Sequence, residues 1–154
     1  MPTEPYRTSI DIAAPPALVY PFLTEPEAIL RWMGDYAIVD ARPGGEFTLD
    51  INGVPVRGHY IELDPPHRVV IAWGHAGSEL LPPGCSTVEI TLQPIGNGTR
   101  LHLEHRDLPP EEARIHAIGW PHFLGRLAIA GTGQDPGPDP YASTPPTRTA
   151  RHRR

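Results

Sequence analysis

Apolar and polar residues alternate one for one along Glu46–Ile51, with Phe47, Leu49 and Ile51 in one phase and Glu46, Thr48 and Asp50 in the other. A period of two marks a strand with one buried and one wet face. The same reading gives strands at Thr87–Gln93, where Val88, Ile90 and Leu92 agree, and at Thr99–His105, where Leu101, Leu103 and His105 agree. Arg7–Ile12, Asp35–Ala41, a run from Gly58 towards Pro66, and Arg68–His75 read as further strands. Asn52-Gly53 and Gly96-Asn97-Gly98 mark hairpins, because a tight primed turn needs positive φ and these residues adopt it cheaply. Asp64-Pro65-Pro66-His67 separates two more strands.

The period changes to 3.6 near each end. Ala14-Pro15-Pro16 closes the first strand and opens a short helix over 17–24, where Leu18 and Phe22, and Val19 and Leu23, form i, i+4 pairs. Pro21 shortens or kinks it. A second short helix runs from Glu25-Pro26 to about Arg31. A long helix begins at Pro110, with Glu111 and Glu112 where the macrodipole favours acids. His116, Trp120, Phe123, Leu127 and Ala130 follow along one of its faces. Within it, Pro121 has no amide for the Ala117 carbonyl and Gly119 weakens the backbone, which predicts a kink or a new segment near Trp120; the face shared by both halves makes a kink rather than a stop the expectation.

Composition changes character after Gly131. The remaining 23 of 154 residues hold five prolines, one aromatic (Tyr141) and almost no aliphatic side chain, ending in Arg148, Arg151, Arg153 and Arg154. Such a segment cannot offset its ordering entropy by burial. The expected organisation is one domain over 1–131 and a disordered Pro/Arg-rich tail over 132–154. A net charge of −5 argues against nucleic acid as a partner. No apolar run reaches the roughly 20 residues of a membrane span, and Met1–Ile10 has no leader-like apolar core, so a cytoplasmic location is expected. Cys85 is the only cysteine, which excludes an intrachain disulfide and argues against a zinc–thiolate site. All thirteen Lys-plus-Arg positions are arginine, so Schiff-base chemistry and a P-loop lysine are excluded as well.

The element order is strand, two short helices, six antiparallel strands and a long helix. With Ile12-Ala13-Ala14-Pro15, Glu25-Pro26, Arg31-Trp32, Arg42-Pro43-Gly44-Gly45-Glu46-Phe47, Gly58–Pro66, Trp73 and Gly119-Trp120, the chain resembles the START-like helix-grip (SRPBCC) superfamily. Within it, the chain looks like the family named for the C-terminal domain of the heat-shock protein 90 ATPase activator. The resemblance spans about residues 7–131. It implies an α+β helix-grip fold, a curved antiparallel sheet of about seven strands around the C-terminal helix. That fold encloses a cavity but serves carriers, cyclases, hydrolases and cochaperones alike.

Phase with the apolar residues turns Phe47, Leu49, His59, Ile61, Val69, Ile71, Trp73, His75, Val88, Ile90, Leu101, Leu103 and His105 inward. The candidate ligand-binding residues are Trp32, Phe47, His59, Trp73, His75, His105, His116, Trp120 and Phe123. Apolar walls with a few imidazole and indole groups suit a small hydrophobic or aromatic molecule. His59, His75 and His105 could converge from three strands, but no HExxH or HxH spacing is present, so no metal and no cofactor are expected. Binding without catalysis is the reading. The alternatives are a cyclase- or hydrolase-type enzyme, with His75 or His105 working beside Glu104 or Asp35, and a cochaperone-like interaction module. Nothing in the sequence supports a homodimer or a chaperone contact.

Overall fold

The computed structural model describes residues 4–142. Strand β1 (Tyr6–Ile12) leads into three single helical turns, α1 (Pro16–Val19), α2 (Pro21–Thr24) and α3 (Pro26–Ile29), each opened by a proline. The helix expected over 17–24 thus divides at Pro21, whose ring ends one turn and starts the next. Six strands follow: β2 (Tyr36–Val39), β3 (Glu46–Ile51), β4 (Val54–Asp64), β5 (Arg68–His75), β6 (Ser86–Ile95) and β7 (Gly98–Arg106). All neighbours pair antiparallel in the order β1-β7-β6-β5-β4-β3-β2. Helix α4 (Pro110–Ala130) packs across the concave face, burying Ile115, Trp120, Phe123, Leu124, Leu127 and Ala130. This is the helix-grip architecture.

Side-chain phase holds in β3, β5, β6 and β7, where the expected inward residues are buried. It fails in β4. His59 and Ile61 were expected inward, but both are exposed, and Val56 and Tyr60 take the buried positions. The cause is a register shift between Tyr60 and Glu62, which leaves Ile61 as an extra residue against β5. Tyr60 wins the inner face because its ring packs edge-on against Phe47, and its hydroxyl donates to the Leu23 carbonyl at 2.9 Å. Gly58 lies between Phe47 and Trp73 in the strand register, where an added Cβ would lie 1.7 Å from the Ala72 carbonyl oxygen.

The convex face carries an alternating charge ladder, Glu62–Arg68–Glu89–Arg106–Glu104–Arg7, running from β4 to β1. Half-exposed pairs of this kind each contribute little. Their consequence is placement: Glu104 faces outward, away from the concave side.

α4 is one helical segment through Gly119-Trp120-Pro121, so the helix does not stop there, and no new segment begins at Trp120. Buried residues on both sides of Pro121 hold the helix against the core, and this packing overrides the missing hydrogen bond. Nor does ordered structure stop at Gly131. Residues 132–142 form a strap in which Asp139 accepts hydrogen bonds from Asn52 and from His122 (3.2 and 2.7 Å), and Arg126 donates to the Gly137 carbonyl. Tyr141 stacks on His122 with ring centroids 4.0 Å apart. The expected disorder of 143–154 lies outside the described residues.

Candidate functional site

A half-open cavity of about 80 Å³ lies where the end of β5, the β3–β4 hairpin and α4 meet. Alternation along β5 sends Trp73 and His75 into it, and α4 contributes Ile115, His116, Gly119, Trp120 and Phe123 from successive turns. Met33, Ile51, Val54 and Val56 complete an apolar wall, and Asn52 with Tyr141 of the strap stands at its edge. Trp73 and Trp120 are neighbours with centroids 5.3 Å apart. The buried Trp73 Nε1 has no hydrogen-bond partner among the described residues.

Trp32 and Phe47 lie behind this wall. They border a void of only about 10 Å³ together with Trp73 and Trp120, and the Trp32 indole donates to the Phe22 carbonyl at 2.9 Å. They are core residues that support the wall. His59 is on the opposite face of the sheet, next to Glu46 and Ala72 in the strand register. Of the nine candidates, Trp73, His75, His116, Trp120 and Phe123 are brought together at the cavity.

His105 is fully buried behind Trp120, and its hydrogen bonds fix its tautomer. Trp120 Nε1 can only donate, so His105 Nδ1 accepts, at 3.1 Å. The proton is therefore on Nε2, which donates to Ser86 Oγ at 2.9 Å, and Ser86 donates onward to the Trp73 carbonyl at 2.6 Å. Burial first, then the neighbouring His116, His75 and Arg106, hold His105 well below the ordinary imidazole pKa. A donor to Ser86 cannot be its general base, so this pair is not a nucleophile–base dyad.

A second cluster faces the cavity. His75, Glu112 and His116 are all buried, and one donor atom from each lies within 4.8 Å of the others. His75 and His116 stack with centroids 5.7 Å apart, and His116 Nδ1 is 3.5 Å from Glu112 Oε1. The acid partners expected for the histidines do not take part: Glu104 is bound to Arg7 and Arg106 on the convex face, and Asp35 is exposed. Glu112 supplies the carboxylate instead. Its sequence signal was present, since it lies four residues before His116 and continues the inward face of α4 backwards by one turn. A helix-start acid usually faces solvent, and that expectation hid it.

Residues 13–130 match the family described as Activator of Hsp90 ATPase homolog 1-like protein. Among solved structures, DynU16, from the dynemicin biosynthetic locus, superposes with a TM-score of 0.76 at 24% identity. That match covers 90% of this chain but 51% of DynU16, so the chain spans about half its length. CalU16 from Micromonospora echinospora gives a TM-score of 0.74 at 30% identity, covering 91% of this chain and 71% of that one. An AHSA1-like protein from Rhizobium etli gives 0.67 at 42% identity, with 98% and 95% covered. No curated protein matches the sequence. Among the described residues, no helix is long and apolar enough to cross a membrane.

Proposed function

From a chain that belongs to the Activator of Hsp90 ATPase homolog 1-like family, we propose a binder of a small hydrophobic or aromatic molecule that acts without transforming it. The observation that carries this reading is the wall of Trp73, Trp120 and Phe123, in which the Trp73 N–H is buried and unmatched. A buried orphan donor costs about 1–3 kcal/mol, and a ligand oxygen that reached it after a side-chain adjustment would recover that. Apolar surface supplies affinity, and this donor sets orientation. A void of about 80 Å³ is roughly half of one known to hold benzene. The ligand therefore enters end-on, with only part of a ring inside and the remainder in the open mouth beside Tyr141.

The experiment is native mass spectrometry of freshly purified protein with organic extraction, followed by titration of metal-free protein with flavonoid-like and fatty-acid probes. Tryptophan emission should quench or shift with saturation at one site, and Trp73→Phe should weaken binding. Chemically unchanged probe after long incubation is expected; a mass change would turn the reading to the enzyme alternative. No retained molecule and no response across the panel would overturn both.

A further inference from the structure

We infer that His75, Glu112 and His116 form a site for a divalent transition-metal ion of the zinc class, placed to anchor an anionic oxygen of the cavity's ligand. The ligand class rests on the binding reading above; the metal site does not.

Donor type comes first. Two imidazoles and one carboxylate form a mixed nitrogen and oxygen set that suits zinc, cobalt, nickel or iron, whereas magnesium and calcium require oxygen shells. Placement follows from the fold. Glu112 and His116 are one turn apart on the inner face of α4, and His75 comes from the last residue of β5 directly opposite. Donor atoms on an ion at ordinary bond lengths lie ~3.4 Å apart. The donor atoms here lie within 4.8 Å of one another, so side-chain rotation has to draw them together around an ion.

Orientation is also provided. His116 Nδ1 lies 2.8 Å from the Glu112 carbonyl oxygen, and a carbonyl can only accept. Nδ1 therefore carries the proton in that bond, and the lone pair of the neutral ring is on Nε2. A ligating histidine held by its other N–H on a backbone carbonyl is the usual outer-shell arrangement. Three protein donors leave at least one coordination position open. His75 and His116 both line the cavity, so the open position faces the ligand. A divalent ion with one carboxylate retains a net positive charge in a buried site, which favours a carboxylate, phenolate or enolate oxygen from the ligand.

The test titrates chelator-treated protein over residues 1–154 with zinc by calorimetry and with cobalt by visible absorption. One equivalent should bind, with the intense cobalt bands of four- or five-coordination. Glu112→Gln, which keeps the shape of the side chain, should lower affinity at least tenfold, while His102→Ala and His152→Ala leave it unchanged. Imidazole NMR resonances of His75 and His116 should shift on zinc addition, a readout that needs no variant to fold. With zinc bound, 2-naphthoate should bind at least tenfold tighter than 2-naphthalenemethanol. Absence of cobalt bands, unmoved His75 and His116 resonances, or undiminished affinity in Glu112→Gln would overturn the metal site. If the metal-free protein still takes up apolar probes, the binding reading survives that failure. Metal uptake without probe binding, or with no preference for naphthoate, leaves the metal site standing and removes the ligand class.

Discussion

Trp120 Nε1 donates to His105 Nδ1 across 3.1 Å, and this bond joins α4 to β7 inside the core. It also begins a directed chain from indole to imidazole to the Ser86 hydroxyl to the Trp73 carbonyl. Trp73 and Trp120, the two aromatic walls of the cavity, are thus connected both by ring contact and by this buried relay.

Trp120→Phe keeps an aromatic ring but leaves His105 Nδ1 buried without its donor. The expected loss of unfolding free energy is about 2 kcal/mol, combining the orphaned acceptor with the smaller ring. Urea denaturation measures it. In a double-mutant cycle with His105→Leu, the pair should show a coupling of about 1 kcal/mol; zero coupling would mean the bond contributes nothing.

His105 makes stability depend on pH with a defined sign. Its folded pKa is depressed, by burial first and by His116, His75 and Arg106 after that. The unfolded chain takes up a proton near pH 6.5 and the folded chain does not. The contribution is therefore fully present above about pH 6.5. It is lost as pH falls from there through the lowered folded value, with a slope of up to ~1.4 kcal/mol per unit. Denaturation midpoints between pH 7 and pH 5 should fall less steeply in His105→Gln than in the parent. Identical slopes would show that another group titrates in this window.

Strand phase and turn chemistry read directly from the sequence because each is local: Asn52-Gly53 turns where expected, and β6 and β7 bury Val88, Ile90, Leu101 and Leu103. His59 was misplaced because a bulge is set by the neighbouring strand, and only the β4–β5 register reveals that Ile61 is extra. Glu112 was missed for a different reason. An acid in a first helical turn is explained locally by the helix dipole, and only the opposing His75, 37 positions away, shows that it faces inward. The strap over 132–142 has too little aliphatic content to be seen by composition, and Asp139, Arg126, His122 and Tyr141 hold it through polar and stacking contacts instead.

Truncation after Gly131 removes those contacts and Tyr141 from the cavity edge. The thermal midpoint should drop by several degrees, corresponding to about 1–2 kcal/mol, and apolar probes should associate faster. Acid should release the strap as well. Burial tends to raise the Asp139 pKa, but the Tyr141 amide, His122 and Asn52 outweigh it and hold the carboxyl low. The strap is therefore secured above about pH 4 and loosens as pH falls through the lowered value. A truncated protein with an unchanged midpoint and unchanged association rate would sink this account.

Pro121 lies exposed within α4, one residue after buried Trp120 and two before buried Phe123. Its ring removes the amide that would bond the Ala117 carbonyl, and in exposed helix interiors proline costs about 3 kcal/mol relative to alanine. The helix nevertheless continues through it, because Trp120, Phe123, Leu124 and Leu127 pack onto the sheet from both sides of the defect. Packing energy is thus holding a backbone that would otherwise break. Pro121→Glu restores the donor on a solvent-facing site and adds a good helix former, so the unfolding free energy should rise by about 1–3 kcal/mol. The amide of residue 121 should be protected in hydrogen exchange to the same degree as its helical neighbours. Gly119, Trp120 and Phe123 line the cavity on either side of this position, so tightening the turn should also change probe affinity while the fold stays intact. If the midpoint falls, or the new amide exchanges freely, the turn at Pro121 has a geometry that cannot use the donor, and the local defect is not what limits the stability of α4.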